Sequence, residues 1–255
     1  MQNNYDNNLI ASIYDYDNPD GPDHDFYRKL ADDMDVKSII DLGCGTGIFT
    51  TTLVAEGRRI IGIDPAPAML ELARNRRNGD RVIWIEGTGS EIMVDSADLV
   101  FMTGNVAMHI IGKEWHETLK QIARGLKPAG IVAFETRNPK AEAWKKWNEE
   151  NEFRETPAGR LCETTLIDPP DEYGVITMHM YNEFIDHDCK IYTQQKLQFR
   201  SYEQVVSDLN NAGMRVKSCY RNWLGEPFDD TSDELLMIFV AVREQNITNR
   251  ERKED

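Results

Sequence analysis

The chain has 255 residues and a formal net charge of −15, from 29 Lys and Arg against 44 Asp and Glu. Hydrophobic residues make up 40% and charged residues 29%, which excludes a disordered or fibrous chain and suits one domain with an elaboration. The acidic balance argues against a broad nucleic-acid surface, which rests on Lys and Arg contacts to phosphate, and against attraction to anionic membranes.

The opening residues, Met1 to Asp6, hold no basic run and no apolar run, and no stretch approaches the length of a membrane span. Cys44, Cys162, Cys189 and Cys219 are scattered without Cys-x-x-Cys spacing, so no metal site is expected and a reducing cytoplasm is the natural setting. From Val36 to Glu135 apolar strands alternate with amphipathic helices. Strands are expected at Ser38–Leu42, Arg59–Ile63, Arg81–Ile85, Asp98–Met102 and Gly130–Phe134. Helices are expected at Ile48–Glu56, stopped by Gly57, at Ala66–Arg77 and at Glu114–Leu126. Continuous apolar strands separated by helices predict a parallel sheet covered on both faces.

The pattern then changes. Lys140–Glu150 reads as a helix with Trp144 and Trp147 one turn apart, followed by a polar stretch holding Pro157, Gly159, Pro169 and Pro170. Val175–Ile185 and Lys190–Arg200 alternate around Asp186 to Cys189, the pattern of an antiparallel hairpin. Ser201-Tyr-Glu-Gln204 is a capping box that opens a helix to Ala212, closed by Gly213. Two last strands are expected at Met214–Trp223 and Glu234–Arg243, and a polar tail from Glu244 to Asp255. The organisation is therefore a core of residues 1–139, an insert of residues 140–200, a core-completing segment of residues 201–243 and a tail of residues 244–255.

Asp41-Leu-Gly-Cys-Gly-Thr-Gly47 ends the first strand and opens the first expected helix. Its glycines permit a tight turn and close approach of a ligand to the main chain. Asp64 ends the second strand, where a carboxylate can accept both hydroxyls of a ribose. Together they predict a nucleoside site at the carboxyl edge of the sheet. The spacing is not that of a dinucleotide fingerprint, because Gly-x-Gly-x-x-Gly would need glycine at Ile48 or Thr50. A Walker loop is excluded too, since no Gly-Lys-Ser/Thr follows.

These residues resemble the Asp-x-Gly-x-Gly-x-Gly motif of the class I S-adenosylmethionine-dependent methyltransferases. Asp41, Gly43, Gly45 and Gly47 fill all four places, with Cys44 and Thr46 between them. Gly62-Ile-Asp-Pro-Ala-Pro-Ala-Met-Leu70 is similar to the family's second motif. The resemblance implies that the loop backs onto the methionine part of S-adenosylmethionine, that Asp64 and Pro65 lie at the ribose, and that Met69 packs on the adenine. It puts Gly87 and Thr88 where many members have Gly-Asp, so the adenine contact is altered here. It puts Gly104 and Asn105 where the backbone closes over the cofactor, and Tyr14 in a segment that covers it, with Tyr27 a weaker candidate. It implies a doubly wound α/β fold, a Rossmann-like seven-stranded sheet of order 3-2-1-4-5-7-6, with residues 140–200 inserted as an antiparallel lid or a dimerisation surface. It implies S-adenosylhomocysteine as the product.

Methyl transfer from a sulfonium needs alignment and exclusion of water more than it needs a base. His109, just beyond the fourth strand, is the candidate base, or else a histidine bonded to backbone. Glu135 and Arg137 end the fifth strand and either bind a polar acceptor or pair with each other. Trp144 and Trp147 either wall an acceptor pocket or sit in the core. Asp168-Pro-Pro-Asp171 is not the Asp-Pro-Pro-Tyr motif of amino-group nucleic-acid methyltransferases, because it lacks the stacking aromatic and lies in the insert. The sequence thus predicts transfer of a methyl group to an O, N or C atom of a small molecule, by a monomer or homodimer without nucleic-acid or membrane partners. The alternatives are a tRNA or rRNA methyltransferase and a non-catalytic S-adenosylmethionine-binding protein.

Overall fold

The computed structural model describes residues 4–230 and 234–244. The core is a seven-stranded sheet: β1 Ser38–Leu42, β2 Arg59–Asp64, β3 Ile83–Glu86, β4 Ala97–Met102, β5 Leu126–Arg137, then, after the insert, β10 Met214–Tyr220 and β11 Leu236–Arg243. Its order is β10-β11-β5-β4-β1-β2-β3. β1 to β5 pair in parallel, and β11 runs antiparallel to both β5 and β10. This is the expected 3-2-1-4-5-7-6 order. Within the described residues the helices are α1 Asn8–Asp17, α2 Pro22–Asp33, α3 Pro67–Arg74, α4 Val106–His109, α5 Lys113–Gly125 and α6 Tyr202–Asn211. None is long and apolar enough to cross a membrane.

Side chains alternate across each strand, so the sheet has two buried faces. Ile40, Leu42, Val100 and Phe134 pack with Trp115 and Leu119 of α5 and Leu209 of α6. Ile39, Leu99 and Phe101 pack on the opposite face with Tyr27 and Ala31 of α2. Both layers hold the carboxyl ends of β1, β2 and β4 in register, and loops at that edge inherit the rigidity. The capping box forms as expected: Ser201 Oγ accepts from Gln204 N at 3.2 Å, and Gln204 Oε1 accepts from Ser201 N at 2.8 Å.

Two expected helices are absent. Residues 48–56 form only a 3₁₀ turn at Thr50–Leu53. Thr50, Thr51 and Thr52 spend their hydroxyls on Asp41 Oδ2, Gly47 O and Phe49 O, at 2.5, 3.0 and 2.6 Å. Such local bonds compete with a helical ladder. Residues 140–150 form two 3₁₀ turns, Pro139–Ala141 and Ala143–Lys146, separated by Glu142 at φ +46°. The following polar stretch is a further hairpin, β6 Glu149–Thr156 and β7 Gly159–Asp168.

With the expected hairpin, now β8 Val175–Phe184 and β9 Cys189–Gln198, they make a separate antiparallel sheet of order β6-β7-β8-β9. Two apolar clusters seat it on the core. Ile176, Leu197 and Phe199 meet Met108 of α4, and Leu161 and Phe184 meet Ile13 of α1. The expected tail lies outside the described residues apart from Glu244.

Candidate active site

The chain leaves β1 at Leu42 and turns back at once. Gly43 N and Cys44 N both donate to Ile63 O, at 2.7 and 3.1 Å, and Gly47 N donates to Cys44 O at 2.9 Å. Gly43, Gly45 and Gly47 all have positive φ, which glycine adopts without steric cost. Asp64, at the end of β2, ties the loop down. One carboxylate oxygen accepts from Gly45 N at 2.9 Å, the other from Ala66 N at 2.8 Å. Burial raises the Asp64 carboxyl above the usual range, and those two amides pull it part of the way back. Each oxygen keeps a lone pair, so the carboxylate can still accept from a diol.

Beside this loop lies a cavity of about 440 Å³, within the usual size of small-molecule sites. Gly43, Gly45, Asp64, Pro65 and Met69 form one wall; Gly87 and Thr88 continue it past β3. Glu114, Thr118 and Gln121 of α5 close the far side. A Cβ on Gly45 would point into open space, with only a Tyr14 ring carbon at 3.8 Å. Thr88 also caps the short turn after it, accepting from Ser90 N at 3.4 Å.

A second cavity of about 330 Å³ lies under the separate sheet. Strand alternation sets its roof: Met178, Met180 and Asn182 of β8 point inward with Thr193 and Gln195 of β9, while Tyr181 and Tyr192 are exposed on the outer face. Asn105, Arg137 and Trp147 belong to this cavity. Tyr5, Tyr14, Gly104 and His109 line both cavities, so the two meet there. Tyr5 packs edge-on to Tyr14 at 5.5 Å and to His109 at 6.3 Å. Burial pushes the His109 imidazole down to about 4, so it is neutral at pH 7; burial raises the Tyr14 hydroxyl well above its ordinary value, so it keeps its proton.

Beneath the junction, Glu135 is only 3% exposed and faces neither cavity. Its carboxylate accepts from Tyr27 Oη at 2.5 Å and from the backbone N of Asn105. That second bond holds Asn105 at φ +61°, with its side-chain oxygen buried and unpartnered among the described residues. Arg137, on the same face of β5, makes no ion pair with Glu135; burial lowers its affinity for a proton and Glu135 nearby partly restores it.

Four other expected site residues lie behind the cavities. Asp41 is 1% exposed beneath the loop, accepting from Thr50 Oγ1 with its other oxygen unpartnered, and burial pushes its carboxyl up to about 6. Gly47 and Cys44 pack on the sheet side: a Cβ on Gly47 would meet Trp84 at 2.6 Å, and one on Gly62 would meet Cys44 Sγ at 3.0 Å. Trp144 is buried against Phe199, 4.6 Å between centroids, and its neighbour Trp147 reaches the second cavity instead. Sequence reasoning named Trp147 but did not find Tyr5, Met178, Met180 or Gln195. The alternation within Val175–Phe184 held the signal for the two methionines; nothing local marked Tyr5.

Residues 39–130 match the model of a methyltransferase domain. A Streptomyces protein, cypemycin N-terminal methyltransferase, is 25% identical over 211 residues, 80% of this chain and 83% of its own length. A solved S-adenosylmethionine-dependent methyltransferase from Clostridium acetobutylicum superposes with a TM-score of 0.78 at 14% identity, covering 93% of this chain and 99% of that one. The sugar N-methyltransferase KedS8 from a Streptoalloteichus species superposes with a TM-score of 0.69 at 16% identity, covering 91% of each. At these identities the two structures agree with this one in fold. The loop motif, the sheet order and the match of residues 39–130 to a methyltransferase domain together support a class I S-adenosylmethionine-dependent methyltransferase.

Proposed function

We propose that the first cavity binds S-adenosylmethionine and that the second receives a small amine, which the protein N-methylates. The observation that carries this is the junction: two cavities, one built on the glycine loop and Asp64, meet at Tyr5, Tyr14, Gly104 and His109. The residues fit the cofactor. Gly45 leaves room against the main chain, Asp64 offers two oxygens to a ribose, and Met69 gives an apolar surface for a base. Cypemycin N-terminal methyltransferase and KedS8, by their names, act at nitrogen, which favours an amine over O or C acceptors.

When bound, S-adenosylmethionine, held by the glycine loop, Asp64 and Met69, would supply an activated methyl to the neutral nitrogen of the acceptor, and the amine's proton would leave with the methylated ammonium product. The chain's own residues prepare that displacement. Tyr5 and Tyr14 narrow the junction and exclude water. The separate sheet covers the acceptor as a lid, and Asn105 and Arg137 position it. His109 is too weak a base to hold an ammonium proton, so its neutral ring accepts a hydrogen bond from the amine and orients the lone pair. Incubation with S-adenosylmethionine and a library of primary and secondary amines, read by mass spectrometry, tests this. Methylated amines with stoichiometric S-adenosylhomocysteine are expected; methylation confined to hydroxyl or carbon acceptors contradicts the amine assignment.

A further inference from the structure

We propose that the acceptor carries a carboxylate as well as its amine, and that Arg137 in the second cavity is the residue that selects for it. This rests on assigning that cavity to the acceptor.

The chain is acidic, and its buried and half-buried arginines, Arg137 apart, have partners, whereas Arg59, Arg74 and Arg77, for which none is found among the described residues, are exposed. Arg28 lies 2.9 Å from Asp20 and 2.7 Å from Asp25, Arg58 3.0 Å from Asp32, and Arg160 2.7 Å from Asp186. Arg200, which is 5% exposed, has no carboxylate but donates to Ala107 O, Ile110 O and Gln198 Oε1, and lies over the Trp115 ring. Arg137 breaks the pattern. It is half-buried at the end of β5, it lines the second cavity, and its guanidinium has no hydrogen-bond or ion-pair partner among the described residues.

The surroundings explain why no protein group serves it. Glu135, two residues before it on the same face of β5, is committed to Tyr27 and to the backbone of Asn105. The carboxylates that line the cavity, Asp17 and Glu163, are both engaged by Arg154, with Arg154 Nη1 2.7 Å from Asp17. A desolvated cation without a partner is costly, and a guanidinium presents a planar fork that matches a carboxylate. The partner is therefore expected from the ligand. One guanidinium balances one negative charge, and Asp17 and Glu163 nearby would repel a second, so a carboxylate fits better than a phosphate. A cavity of about 330 Å³ also favours a compact acceptor such as an amino acid or a short peptide.

The test uses the full chain, S-adenosylmethionine, and a panel of amino acids and short peptides, each supplied as the free acid and as its carboxamide. Wild type, R137K and R137M are compared by initial rates, and S-adenosylhomocysteine binding to each is titrated by calorimetry as a check on folding and on the first cavity. Free acids should be methylated with kcat/KM about tenfold or more above their carboxamides, through KM. R137M should collapse that ratio towards one and R137K should keep part of it, with S-adenosylhomocysteine affinity unchanged in both. Equal rates for acids and carboxamides, a ratio that survives R137M, or no turnover of any free acid by protein that binds S-adenosylhomocysteine would each overturn the proposal. Failure of the wild type to bind S-adenosylhomocysteine would instead overturn the assignment of the first cavity.

Discussion

Asp64 does two jobs with one carboxylate: it pins the glycine loop through Gly45 and Ala66, and it faces the first cavity. Asp64→Ala should weaken S-adenosylhomocysteine binding by about 2–4 kcal/mol, the scale of lost charge-assisted hydrogen bonds. Calorimetric titration of the folded variant checks this, and an unchanged affinity would remove Asp64 from the ribose. Asp41 behaves oppositely, since it is sealed beneath the loop. Its carboxyl titrates near pH 6 in the folded chain and near 3.8 in the unfolded chain. The unfolded chain therefore ionises first as pH rises from 3.8. Stability falls across that window, and the penalty is complete above pH 6. Asp41→Asn should stabilise the protein at pH 7 by about 1–3 kcal/mol and lose that advantage near pH 4. Urea denaturation at both pH values measures it, and equal stabilisation at both would contradict the burial argument. For His109, loss of one neutral hydrogen bond in His109→Leu should lower kcat about tenfold. No ionisation of this residue should appear in the pH–rate profile between pH 6 and 8, because its ring is already neutral there.

At the scale of elements, the glycine turn separates binding from packing within three residues. Gly45→Ala would place a methyl in the cavity at φ +52°, with nothing but Tyr14 near it. Gly47→Ala would drive a methyl into Trp84 at 2.6 Å and Ala73 at 3.0 Å. Gly45→Ala should cost about 1–2 kcal/mol in stability through its left-handed backbone, yet lose most S-adenosylhomocysteine affinity. Gly47→Ala should lose more stability through overpacking. Thermal melts with and without S-adenosylhomocysteine distinguish them; the same rank in both measurements would contradict the division. This turn, β1, β2 and Asp64 were legible in the sequence because glycine conformation and strand burial are local properties. The helix expected at Ile48–Glu56 was not, because Thr50 is drawn to Asp41, a partner nine residues away that periodicity does not register. The hairpin of β6 and β7 was hidden for another reason. Glu149–Thr156 is mostly exposed, so its strand state comes from pairing with β7 and leaves no apolar alternation to read.

On the scale of the whole molecule, the seven-stranded sheet supplies rigidity and the separate sheet supplies the roof of the second cavity. The roof meets the core through small clusters, such as Met108 with Ile176, Leu197 and Phe199, and Ile13 with Leu161 and Phe184. Such contacts suit an element that opens for ligand exchange. Amide exchange in Val175–Gln198 should slow when S-adenosylhomocysteine and an accepted amine bind together, and much less so across β1 to β5. Equal protection everywhere would argue for a fixed roof. That the insert stands at the carboxyl edge of the sheet was anticipated from where β5 leaves it, and what it roofs there is the second cavity. The joining of two cavities by Tyr5 was not, since that contact unites the N-terminal segment with α1 and α4. A crystal structure with S-adenosylhomocysteine tests the account most directly. We predict ribose hydroxyls on Asp64, the base against Met69, and the sulfur at the junction of Tyr14, Gly104 and His109, facing the second cavity. A sulfur turned away from that junction, or a ligand bound outside the first cavity, would contradict it.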